Sequence, residues 1–79
     1  MRNIHRMSNK EEILIISDTN ERDGMGLEVW KNDKLILEIF TDDCKKTRTI
    51  TFYENEIPFE DMERYMIRYK KDLWEFENK

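Results

Sequence analysis

Residues Asp18 to Gly26 read DTNERDGMG, bringing Asp18, Glu21, Asp23 and Asn20 together with Gly24 and Gly26. So many oxygen donors in one short stretch raise the question of a calcium loop. Such a loop needs oxygen ligands at positions 1, 3 and 5, glycine at 6 and glutamate at 12. Counted from Asp18, Arg22 falls on a ligand position and Asp23 on the glycine position. Counted from Thr19, Gly24 falls correctly, but Trp30 replaces the closing glutamate. Both frames fail. The stretch is expected to be a polar turn between two strands, with Gly24 and Gly26 supplying unusual dihedrals. Nor is DGMG a phosphate loop, since no Lys-Ser/Thr pair and no helix follow it.

The other reactive side chains are sparse. His5 is the only histidine and Cys44 the only cysteine, which excludes a zinc set, a histidine-based triad and an internal disulfide. Cys44 has Lys45 and Lys46 beside it, as some reactive cysteines do, but no second histidine can serve as base, and it reads as a turn cysteine among solvated charges. Carboxylate pairs such as Asp42-Asp43 lack the apolar setting that divides an acid from a base. No cofactor, no metal and no enzyme activity are expected.

Whatever these residues do, a small scaffold must hold them. The chain has 79 residues, enough for one domain that buries roughly 60% of its unfolded surface. Charged residues make up 41% and hydrophobic ones 38%, with a net charge of −4. That balance gives no electrostatic reason to seek nucleic acid or an anionic membrane, and it favours a partner with a basic surface. The longest aliphatic run, Ile13-Leu14-Ile15-Ile16, is too short to span a bilayer, and MRNIHRMSNKEE has no apolar signal region. A cytoplasmic location is expected. Residues 1–9 read as a flexible tail, with Met1 and Met7 both available as starts, and residues 10–79 as the single domain.

Four segments carry strand patterns: EILIIS, GLEVWK, LILEIFT and TRTITFY. The first is short and apolar throughout, as in a strand buried on both faces. A loop of Asn32, Asp33 and Lys34 would set Val29 opposite Leu37 and Leu27 opposite Ile39. A two-residue loop would mix core with solvent. A loop of Asp43 to Lys46 would likewise set Ile39 opposite Ile50 and Leu37 opposite Phe52. The inner face is then Leu27, Val29, Leu35, Leu37, Ile39, Ile50 and Phe52. From Pro58 onward, Phe59, Met62, Met66, Tyr69 and Leu73 form the apolar stripe of a helix. Acids Glu60, Asp61 and Glu63 precede bases Arg64, Arg68, Lys70 and Lys71, as the helix dipole favours. The pairs Glu60–Arg64, Arg68–Asp72 and Lys71–Glu75 have helical spacing. The expected fold is α+β: a four-stranded antiparallel meander with one C-terminal amphipathic helix packed on one face, ββββα.

Three surface features bear on partners. In this register Trp30, Ile36 and Tyr53 align across the outer face of the sheet beside Phe40, covered by the protein's own chain or offered as an interface. Ile67 and Trp74 stack opposite the helix core stripe. Glu54, Glu56 and Glu60 belong to an acidic run, ENEIPFEDME, which is either a solvated face or an electrostatic guide for a basic partner.

The order ISDTNERDGMGLEVW, LILEIFTDD, ITFYENEIPFEDME resembles small bacterial proteins of unassigned function, some of them encoded near polymorphic or contact-dependent toxin genes. The resemblance implies a cytosolic immunity-type protein that occludes a toxin. Two other readings fit the same residues. One is a phage-type acidic inhibitor of a host nucleic-acid enzyme, in which the acids dominate; the other is a self-associating structural domain, such as a homodimer.

Overall fold

Alternating β-branched and aromatic residues between short polar breaks give β1 (Glu11–Asp18), β2 (Gly24–Lys31), β3 (Lys34–Asp42) and β4 (Thr47–Phe52), followed by α1 (Phe59–Leu73). These come from a computed structural model that describes residues 10–77. The expected tail, with His5 and Met7, lies outside the described residues. The strands form one antiparallel sheet in the order β1-β2-β3-β4, and α1 packs on one face, so the fold is α+β, ββββα. β1 is an edge strand, not one buried on both faces. Among the described residues only β2 pairs with it, and Leu14 and Ile15 are exposed.

In the centre of the sheet Leu27 pairs with Ile39 and Val29 with Leu37. The route to that register differs from expectation. The hairpin loop is only Asn32 and Asp33, at φ 55° and 67°, and Lys31 pairs with Lys34. Two successive positive φ values are what a tight type I′ hairpin demands. Such a turn alone would misalign the core by one residue. A β-bulge after Val29 restores it, with Ile36 as the extra residue on β3. The bulge turns Ile36 into the core and leaves Leu35 paired with Trp30. Ile36 therefore does not belong to the outer face, and Leu35 is not a core residue.

Gly24 and Gly26 also differ from expectation, since both lie in β2 and neither has positive φ. What they supply is closeness. A Cβ on Gly24 would lie 1.8 Å from the Thr41 carbonyl oxygen, and one on Gly26 would lie 2.7 Å from the Phe40 ring.

The core is Leu27, Val29, Ile36, Leu37 and Ile39 from the sheet and Tyr65, Tyr69 and Leu73 from α1. Pro58 caps the helix, its carbonyl accepting the Met62 N–H at 3.0 Å. The helix is rolled relative to the expected stripe. Tyr65 is fully buried, whereas Met66 is exposed and Phe59 is 71% exposed. Tyr65 can enter the core because its hydroxyl donates to Glu11 at 3.0 Å, and Tyr69 because its hydroxyl bonds Thr41. A buried phenol needs such partners.

Polar ties set the helix diagonally across the sheet. Its first half is held toward β1 and β2 through Glu11 and Lys31, and its end toward β3 and β4 through Thr41 and Arg48. The inner face of β4 is consequently half covered. Ile50 and Phe52 pair with Ile39 and Leu37 as expected, yet both are exposed.

Candidate interaction surface

The opening loop turns the chain and then closes over the sheet. The Asp18 carboxylate accepts the Asn20 N–H at 3.0 Å and the Arg22 Nε–H at 3.1 Å, and these bonds, the backbone one foremost, hold its pKa low. Arg22 reaches on to Glu38, donating from Nη1 at 2.8 Å and Nη2 at 3.0 Å. Such two-pronged pairing fixes the guanidinium plane as well as its charge. That plane lies 3.8 Å from the centroid of the Phe40 ring, which is only 2% exposed. The outer face is therefore partly covered by the protein's own loop. Trp30 is half-buried and donates its indole N–H to Glu28 at 3.0 Å, while Tyr53 remains 55% exposed. The expected row of Trp30, Ile36 and Tyr53 does not form.

On the helix side, Arg64 grips Glu11 through both terminal nitrogens at 3.1 Å and Asp61 at 2.9 Å, rather than the expected Glu60. The Arg64 bonds hold the Glu11 and Asp61 carboxyls below their ordinary range, against the opposing effect of burial. Burial, with the Glu11 carboxylate beside it, pushes the Tyr65 phenol up to about 12. Asp72 accepts from Arg68 at 2.7 Å, as its spacing predicts.

At the other end Arg48 donates to the Trp74 carbonyl from Nε at 3.0 Å and Nη2 at 2.7 Å. Its guanidinium lies 3.7 Å from the Trp74 ring centroid and 4.1 Å from that of Phe76. Trp74 also meets Tyr69 edge-on at 6.2 Å. Trp74 is thus a clamp within the fold, turned toward β4 by Arg48. The Asp42-Asp43 pair is structural too. Asp42 accepts the Cys44 and Lys45 N–H groups, and Asp43 accepts that of Glu77. Cys44 is exposed in that turn.

What these ties leave open is one end of the molecule. Phe59 and Ile67, the latter 67% exposed, are separated by two helical turns with Glu63 between them, so they share one side of α1. Glu56 and Glu60 are exposed beside them, and Glu56, Glu60 and Glu63 form no ion pair among the described residues. Glu54, by contrast, pairs with Lys34 at 3.1 Å. Below this ridge, a trough between α1 and β4 is lined by Phe52, Ile57, Phe59 and Met62, and Ile50, Met66 and Trp74 line a second hollow. Periodicity alone places Phe59, Phe52 and Ile50 in the core. The diagonal helix is what leaves them outside it.

The arrangement offers apolar contact next to uncompensated negative charge, which suits binding of a protein surface. Among the described residues no cluster of three or more His, Cys, Asp or Glu could share a metal ion, and no helix is long and apolar enough to cross a membrane. Comparison with protein-family models, curated proteins and solved structures returned no match.

Proposed function

We propose that this chain is a non-enzymatic protein-binding protein of the immunity type, which occludes a basic surface on a bacterial toxin. The observation that carries the reading is the α1 ridge. Phe59 and Ile67 are exposed on one helix side, flanked by Glu56, Glu60 and Glu63, whose charges nothing among the described residues neutralises. In this mechanism the acids accelerate and orient the encounter, and the apolar pair excludes water once docked. The sequence resemblance to proteins encoded near toxin genes supports the same assignment, as does the acidic net charge.

The test is co-purification with the product of the adjacent gene, followed by titration of variants. Phe59→Ala and Ile67→Ala should each weaken that complex by about 2 kcal/mol if they are anchors. Unchanged affinity in both variants would remove the ridge from the interface. The acidic-mimic reading keeps one supporting observation, that Glu56 and Glu60 form no ion pair among the described residues. It requires charge reversal at Glu54, Glu56 and Glu60 to abolish binding while the apolar changes matter little.

A further inference from the structure

We propose that a second copy of this chain pairs with the β4 edge, antiparallel about a two-fold axis, to make a continuous eight-stranded sheet. Among the described residues β4 is bonded on one side only. The Tyr53 N–H bonds the Ile36 carbonyl at 2.8 Å, and the antiparallel alternation from that bond turns Thr47, Thr49 and Thr51 toward β3. The N–H and C=O groups of Arg48, Ile50 and Phe52 therefore face the open edge. Their side chains stand on the helix side, where Phe52 is 54% exposed and Ile50 and Met66 are also open. Main-chain pairing and an apolar strip thus coincide on one strand, the combination that strand addition uses.

Charge identifies the occupant. The start of β4 is basic, with Lys45, Lys46 and Arg48, and the chain leaving it is acidic, with Glu54 and Glu56. A two-fold axis reverses this order, so the basic end of each copy meets the acidic end of the other. With the axis at Thr51, Ile50 opposes Phe52 and Arg48 approaches Glu54. The other edge lacks this property. β1 has Glu11 and Glu12 at one end and Asp18 at the other, paired within the chain to Arg64, Lys10 and Arg22 respectively. A two-fold axis there brings no basic end of the strand onto an acidic one. A strand of this length spans roughly 20 Å.

This assembly does not rest on the toxin reading, because the pure chain suffices to test it. Sedimentation equilibrium of the full-length protein up to about 100 µM should show a monomer–dimer equilibrium. Ile50→Glu and Phe52→Glu replace side chains already exposed in the monomer. They should leave circular dichroism and melting intact while weakening association roughly tenfold or more. A charge swap supplies the second arm. A Glu54→Lys, Glu56→Lys chain and a Lys45→Glu, Lys46→Glu chain should each be monomeric, and a mixture of the two should dimerise. A wild-type monomer throughout that range overturns the proposal. So does a dimer broken by Leu14→Glu on β1 and untouched by Phe52→Glu.

Discussion

At the scale of single residues, the chemistry-bearing side chains turn out to hold the fold. Glu11 shows how. It receives Arg64 and Tyr65, and its carboxyl is held below the ordinary value of 4.5 chiefly by the Arg64 bonds. The folded state then keeps Glu11 charged at a pH where the unfolded chain has begun to bind the proton. Its contribution is therefore present above about pH 4.5 and is lost as pH falls through the depressed folded value. In Glu11→Gln the difference between urea midpoints at pH 7 and pH 3 should shrink. An unchanged difference would place the acid sensitivity on other carboxylates. The opening acidic loop was legible as a turn because both calcium-loop frames fail there and its polar residues separate two strand patterns. The role of its Arg22 was not legible, because nothing local indicates that a guanidinium will reach Glu38 and lie over Phe40. The glycines were misread for a related reason. A close approach between strands depends on the partner strand and leaves no mark on its own segment.

At the scale of elements, strand order, the centre of the register and the existence of the helix could all be read from period and punctuation. The bulge could not. LILEIF opens with three neighbouring aliphatic residues, and either Leu35 or Ile36 can join Leu37 in the core, so only the two-residue turn decides between them. The roll of α1 was hidden in the same way. Phe59 and Met66 are as apolar as Tyr65, and the choice is made by Glu11, 54 positions away from Tyr65. The roll predicts opposite sensitivities at neighbouring positions. Tyr65→Ala should destabilise by about 3–5 kcal/mol, as for other large buried rings. Met66→Ala, exposed over the trough, should cost about 1 kcal/mol or less. Equal losses in denaturant titration would mean that Met66 is packed as firmly as Tyr65.

At the scale of the whole molecule, every strand pairs with its neighbour in sequence, so most of the sheet is assembled from hairpins. Only α1 must come back across the sheet to reach the first strand, through the Arg64–Glu11 contact at a separation of 53 residues. This division has a kinetic consequence. Local contacts close loops early and at small entropic expense, whereas the helix-to-β1 tie can form only after the meander exists. The tie should be absent from the rate-limiting ensemble. Arg64→Ala should then leave the refolding rate nearly unchanged and place its whole effect on unfolding. Stopped-flow chevrons measure both limbs, and a slowed refolding limb would put helix docking at the barrier. On this account the diagonal helix that opens the trough should be the last element to lock and the first to be released. The lifetime of the folded state would then depend on a latch of Glu11, Arg64 and Tyr65 at the edge of the sheet.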